Sequence, residues 1–179
     1  MRQALIGRRL LLLLPLAGCV ADPAASWVGG IGDPVRGAAL NAPRLLGDMA
    51  RYRGDPAGAA LAAVQLEFLD QQFRINPLYM NGVTGPTLAT VRAGRTEMRA
   101  AIGIARDAPP ELVIAQLREA AAEIQAGSMA RADAALSGPM FPLGGEATLR
   151  RLSSLPSLPR VRDAAGAANQ AITQDRRSL

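Results

Sequence analysis

The sequence predicts an all-α protein, an antiparallel helical bundle of four or more helices after a signal peptide and a short tether. Three observations support this fold class. Apolar residues recur at the three- and four-residue spacing of helices over most of residues 34–179. Asp-Pro, Gly-Pro and Pro-Pro pairs open successive segments. No stretch alternates convincingly between polar and apolar residues, so no strand is predicted.

The first 18 residues have the pattern of a bacterial export signal. Arg2, Arg8 and Arg9 supply positive charge, and an apolar run at 10–17 follows them. This run is far shorter than the ~20 apolar residues that a membrane-spanning helix needs. We therefore interpret residues 1–18 as a cleaved signal peptide and not as a membrane span.

The apolar run ends in Leu16-Ala17-Gly18-Cys19, and Cys19 is the only cysteine of the sequence. This segment resembles the lipobox of bacterial lipoproteins. The resemblance implies that residues 1–18 are a lipoprotein signal peptide, that Cys19 carries a covalent lipid, and that this lipid holds the protein to a membrane. It implies nothing about the fold of the mature chain. One alternative is an ordinary signal peptide that happens to contain a cysteine, and a second, weaker one is twin-arginine export through Arg8 and Arg9.

The residue after the lipidated cysteine bears on the location of the protein. In the lipoprotein family, Asp at this place favours retention at the inner membrane, but this sequence has Val20. The resemblance therefore implies the cell envelope, with the periplasmic face of the outer membrane favoured over the inner membrane. Residues 19–33 are mostly small or turn-forming, so we expect a lipidated tether that lifts the domain off the lipid surface.

Residues 34–179 are predicted to form a single helical domain, with a core bundle at about 34–137 and a C-terminal helical segment at about 138–179. Asp33-Pro34 opens the first helix, and Pro43 is expected to kink or break it. Asp55-Pro56 opens the second helix, which is expected to end by Ile75 because a proline follows soon after.

The remaining helices follow from similar signals. The third helix is expected to open at Gly85-Pro86 and to run to Ala105, with Gly94 allowing a neighbour to approach closely. Asp107 is expected to cap the fourth helix. Beyond it we predict a short helix to about residue 136, an apolar loop at 138–145, a short helix near 146–153, an extended connector at 154–159 and a final helix at 161–172.

Composition excludes several classes of function. The sequence has no His and one Cys, which excludes catalysis by a Ser-His or Cys-His pair and removes the commonest metal ligand. After removal of residues 1–18, 17 Arg stand against 15 acidic residues, which gives a net charge of about +2. Aromatic residues make up only 3% of the chain. We therefore expect no metal site, no cofactor apart from the lipid on Cys19, and no nucleic-acid partner.

Glu67 and Asp70 are the candidate catalytic residues, because their spacing places both on one face of the second helix. Paired carboxylates suit acid–base cleavage of a glycan. Lytic transglycosylases typically place a catalytic Glu before a Ser, however, and this sequence has no Glu-Ser pair. We favour an ordinary solvated helix face, on which Asp70 and Arg74 form an ion pair four residues apart.

Arg92, Arg95 and Arg99 share one face of the third helix and have no acidic residue three or four positions away. One interpretation is a docking surface for anions, such as lipopolysaccharide phosphates, peptidoglycan carboxylates or an acidic protein. The other is a face that pairs with Glu67 and Asp70 across the helical hairpin or is simply solvated. We favour this second interpretation.

The loop between the second and third helices carries Tyr79 and Met80 among turn-forming residues. It is either a recognition surface or a plug for the open end of the bundle. The same two interpretations apply to Met140, Phe141 and Leu143 in the later apolar loop.

These observations predict a cell-envelope lipoprotein that acts as a non-enzymatic helical adaptor or scaffold on the periplasmic side of the outer membrane. Its membrane contact is the lipid anchor, and its candidate partners are an envelope protein or peptidoglycan. The alternative is a small peptidoglycan-acting hydrolase that uses a helix carboxylate such as Glu67. A weaker third interpretation is the binding of a small apolar ligand between the helices.

Overall fold

A computed structural model describes residues 33–175, so the predicted signal peptide and nearly all of the predicted tether lie outside the described residues. The described part contains seven α-helices and one 3-10 helix, Met49–Tyr52, and has no strand. The α-helices are α1 (Pro34–Leu46), α2 (Pro56–Ile75), α3 (Gly85–Ile102), α4 (Pro110–Gln125), α5 (Met129–Ala135), α6 (Gly145–Leu152) and α7 (Pro159–Asp175). The predicted all-α helical bundle is confirmed.

Helix α2 lies at the centre of the bundle and contacts α1, α3, α4 and α6. Its first half is rich in buried alanines, and Leu66, Leu69 and Phe73 continue the buried surface along its second half. Small side chains let neighbouring helices approach closely from several directions, because little volume separates the backbones. The apolar pattern of the sequence therefore produces one continuous core around α2.

Helix α7 was predicted to lie in a C-terminal segment outside the core bundle, but it packs against both α1 and α3 and belongs to the same core. It runs antiparallel to α3, with Ala164 facing Gly94. A Cβ atom added at Gly94 would lie 2.5 Å from the Ala164 Cβ and 2.7 Å from the Arg160 carbonyl oxygen. The expected close approach of a neighbour at Gly94 is therefore found.

Pro43 was expected to kink or break the first helix, but it does not break it, since α1 continues to Leu46. A proline has no N–H to donate to the carbonyl four residues earlier, which here belongs to Ala39. The Asn169 side-chain nitrogen lies 3.4 Å from the Ala39 oxygen and 3.3 Å from the Leu40 oxygen, and it donates to both. A side chain from α7 thus supplies the donor that Pro43 lacks.

Two predicted boundaries were wrong. Helix α3 ends at Ile102 and not at Ala105, because Gly103 adopts a left-handed conformation with φ +95°. Asp107 does not cap α4. Pro109 occupies the N-cap position, two residues after Asp107. No side chain forms a capping hydrogen bond at this end of α4. Asp33 and Asp55 do cap α1 and α2, as their Asp-Pro pairs predict.

No described helix combines the length and the apolar character that crossing a membrane would require.

Candidate functional site

A cluster of buried charges joins α2 to α3. Glu67 and Asp70 are each only 2% exposed, and both face arginines of α3. Arg95 Nε lies 2.8 Å from Glu67 Oε2, and Arg95 Nη1 lies 2.8 Å from Asp70 Oδ2. Arg99 binds both Glu67 oxygens, with Nε 2.5 Å from Oε1 and Nη2 2.8 Å from Oε2. The pairing across the helical hairpin is therefore found for Arg95 and Arg99.

Arg99 also organises the chain that leads from α3 to α4. Its Nη1 atom donates to the carbonyl oxygens of Ala105, Arg106 and Ala108, at 3.2, 3.0 and 2.9 Å. A guanidinium has five N–H donors, and a buried one is stable only when these donors find acceptors. One side chain therefore fixes both the α2–α3 packing and the course of the α3–α4 connector.

The second helix was expected to expose its acids to solvent, and this expectation was wrong. Asp70 does pair with Arg74, at 2.7 Å, but the carboxylate is buried and is shared with Arg95. The pattern of α2 alone could not reveal this burial, because the neutralising charges come from another helix. Both Glu67 oxygens already accept guanidinium hydrogen bonds, so no observation favours a catalytic role for Glu67 or Asp70.

An arginine-lined cavity of about 510 Å³ lies beside this cluster, between α3, the α3–α4 connector and α6. Ile104, Pro142 and Leu143 form an apolar part of its wall. No acidic residue is among the described residues that line it. Its five arginines come from three parts of the fold, and they are Arg92, Arg95, Arg99, Arg106 and Arg151.

These five arginines divide into two groups. Arg95 and Arg99 form ion pairs with the buried carboxylates of Glu67 and Asp70. Arg92 and Arg106 are exposed and form no ion pair within residues 33–175. Arg151 is also exposed, and its Nη1 atom makes only long contacts, 3.3 and 3.5 Å, with two backbone carbonyls of α3. Three guanidinium groups therefore remain available at the cavity.

The sequence pattern placed Arg92 with Arg95 and Arg99, but it gave no indication of Arg151. Arg150 and Arg151 stand in a short helix about fifty residues beyond α3, and nothing in their local pattern points to a shared site. Only the contact of α6 with α3 brings Arg151 to the cavity. The contact depends on the tertiary fold, and the spacing of apolar residues along the sequence does not show which helices pack together.

The α2–α3 loop is partly packed and partly exposed. The Tyr79 hydroxyl donates to the Asp33 carboxylate, and its ring lies 6.1 Å from the ring of Phe73. Met80 is 48% exposed. In the later apolar loop, Phe141 is buried while Leu143 is 46% exposed at the arginine-lined cavity. Each loop therefore contains both a residue that packs on the core and one that faces outward.

No group of three or more potential metal ligands occurs among the side chains that the structure describes. No protein-family model, no curated protein and no solved structure matches this chain.

Proposed function

We propose that this chain is a cell-envelope lipoprotein, anchored through Cys19 to the periplasmic face of the outer membrane, that acts as a non-enzymatic adaptor. In this proposal, the adaptor binds an anionic envelope component at the arginine-lined cavity. The observation that carries the binding role is the convergence of Arg92, Arg106 and Arg151 on one cavity without an acidic lining residue.

Guanidinium groups suit this role for two reasons. They stay charged at any physiological pH, and their planar fork can donate two parallel hydrogen bonds to a phosphate or a carboxylate. The cavity also has an apolar wall formed by Ile104, Pro142 and Leu143. This combination fits an anion with an adjoining nonpolar part. Lipopolysaccharide phosphates and peptidoglycan carboxylates are two anions of this kind that occur in a cell envelope.

The anchoring part rests on the lipobox-like segment that ends at Cys19. The change Cys19→Ser removes the thiol that accepts the lipid. We expect it to abolish labelling by radioactive palmitate and flotation with membranes, while the helical circular-dichroism signal persists. A labelled serine variant, or an unlabelled wild-type protein, would contradict the proposal.

The cavity is tested by changing Arg92, Arg106 and Arg151 together to Gln, because none of them holds a buried carboxylate. The matched control changes Arg53, Arg160 and Arg162, which are exposed and do not line the cavity, so both variants lose the same charge. Binding to lipopolysaccharide and to soluble peptidoglycan fragments is measured by calorimetry at low and high salt.

We expect the cavity variant to bind at least about tenfold more weakly, since charge-assisted hydrogen bonds contribute ~1.5–3 kcal/mol each. Wild-type binding should weaken as salt rises, and the control variant should behave like the wild type. Equal losses in the two triple variants would show a nonspecific charge effect and would refute the cavity as the binding site.

A further inference from the structure

One end of the bundle carries a cluster of exposed apolar side chains. Ile75, at the end of α2, is 58% exposed, and Leu78 and Met80 in the following loop are 78% and 48% exposed. We call these three residues the apolar tip. Leu78 is the most exposed large apolar side chain among the described residues.

The apolar tip is built on ordered backbone. The N–H groups of Tyr79 and Met80 both donate to the Asn76 carbonyl oxygen at 2.9 Å, and the Leu78 N–H donates to Asn76 Oδ1 at 3.0 Å. Val83, at the end of the loop, is buried. Backbone groups that are bonded internally can enter an apolar environment at low cost.

The chain around the apolar tip carries no charge. Residues 75–91 contain no Asp, Glu or Arg and form the longest uncharged stretch of a sequence in which 20% of residues are charged. Arg74 and Arg92 bound this stretch. A segment without ionised side chains can approach the acyl boundary of a bilayer without the desolvation cost of charges of its own.

The start of the domain lies next to the apolar tip. The Asp33 carboxylate accepts a hydrogen bond from the Tyr79 hydroxyl, so the described chain begins beside the α2–α3 loop. The 14 residues after Cys19 reach Asp33. The tether predicted from the sequence would, at this length, have a typical end-to-end distance of about 20 Å. Helix α2, with 20 residues, is about 30 Å long, so a lipid anchor on such a tether would lie closer to the tip than to the opposite end.

We propose that the apolar tip docks on the surface of the bilayer that holds the Cys19 lipid, with Ile75, Leu78 and Met80 entering the boundary between headgroups and acyl chains. This inference rests on the proposed lipid anchor. It gives the domain a fixed orientation. Helix α3 leaves the tip at Gly85, and at 1.5 Å per residue its cavity-lining residues, from Arg92 to Gly103, lie about 10 to 27 Å along it. Docking therefore holds the arginine-lined cavity beyond the tip, with Arg92 as its residue of α3 nearest the lipid.

The test measures contact with lipid directly by tryptophan fluorescence. The mature lipidated protein is reconstituted in vesicles of phosphatidylethanolamine and phosphatidylglycerol, in which part of the lipid carries brominated acyl chains. Trp27, the only native tryptophan, is changed to Phe. One probe variant then carries Leu78→Trp, and its matched control carries Met129→Trp.

Met129 suits the control because it is 50% exposed and lies near the other end of α2. It lines a shallow depression with Ser153, whose carbonyl oxygen accepts from the Gly54 N–H just before α2 begins. We expect brominated lipid to quench the Leu78→Trp probe severalfold more than the control probe. Vesicle flotation and palmitate labelling are measured in parallel on both variants.

The outcomes separate this inference from the anchor. Loss of flotation in the wild type refutes the anchor and the docking together. If the protein floats with the vesicles but both probes are quenched equally weakly, the lipid anchor is supported and docking of the apolar tip is refuted. A blue-shifted Leu78→Trp emission without bromine quenching also refutes lipid docking, because it shows that a protein, such as a second copy of this chain, covers the apolar tip.

Discussion

Arg99→Met tests whether the buried charge cluster holds the bundle together. Arg99 is 3% exposed, and it joins Glu67 to three carbonyl oxygens of the α3–α4 connector. Methionine keeps much of the apolar stem but removes the charge and every donor. The change leaves Glu67 with Arg95 as its sole ionic partner within residues 33–175 and leaves the connector carbonyls without the Arg99 donor.

The expected cost follows from the burial of these groups. Removing one partner of a buried ion pair typically destabilises a protein by about 3–5 kcal/mol, because the other charge stays buried without compensation. Arg95 still reaches Glu67, so we expect about 3 kcal/mol, toward the lower end of that range. With a urea dependence of about 1–3 kcal/mol per molar, the unfolding midpoint should fall by roughly 1.5 M.

Urea unfolding followed by circular dichroism measures this cost, with Arg92→Met as the matched control. Arg92 lies on the same helix but is exposed and unpaired within residues 33–175, so its change should cost less than about 0.5 kcal/mol. The double variant Arg99→Met/Glu67→Leu removes both charges. We expect its cost to fall below the sum of the two single costs by about 1–3 kcal/mol.

A cost below about 1 kcal/mol for Arg99→Met would refute the reasoning, since it would equal that of an ordinary neutral hydrogen bond. Strict additivity in the double variant would refute it as well, because additivity would mean that Arg99 and Glu67 do not stabilise each other.

Two further predictions concern the rest of the bundle. Gly94→Val forces side-chain atoms against Ala164 of α7 and should lower the free energy of unfolding by about 1–3 kcal/mol, read from the same urea curves. Burial raises the pKa of the Tyr52 hydroxyl above its ordinary value of 10.0, against smaller opposing effects of Arg51 and Arg44. The folded state therefore holds this proton more tightly, and the associated stability, present below pH 10, is lost as pH rises through the folded pKa. Tyr52→Phe should reduce the loss of stability above pH 10, and equal losses in both proteins would contradict this.

The sequence predicted the helices well because their signals are local. Asp-Pro pairs mark the starts of α1 and α2, and apolar spacing marks their buried faces. The helix break expected at Pro43 and the helix cap expected at Asp107 were wrong. Each depends on other residues that the local pattern does not reveal. Pro43 is tolerated through Asn169, more than a hundred residues later in the chain. Asp107 cannot act as a cap because Pro109 already occupies the cap position.

The candidate site was harder to predict, because it depends on charges that meet only in the folded state. The cross-hairpin pairing of Arg95 and Arg99 was a foreseeable alternative, since α2 and α3 are consecutive. The burial of Glu67 was not foreseeable, because a charged residue on a helix face is usually solvated. Arg151 comes from a separate short helix, so sequence spacing gave no reason to place it at the cavity.

The register of the α2–α3 hairpin explains why the three arginines on one face of α3 differ in their ion pairs. Arg99 lies level with Glu67, and Arg95 reaches both Glu67 and Asp70. One further turn along, the same antiparallel register places Arg92 level with Arg74, which is itself an arginine and is already paired with Asp70. No ion pair joins Arg92 to a carboxylate of α2 within residues 33–175, and Arg92 is exposed at the cavity. It is therefore one of the guanidinium groups that the proposed anion would contact.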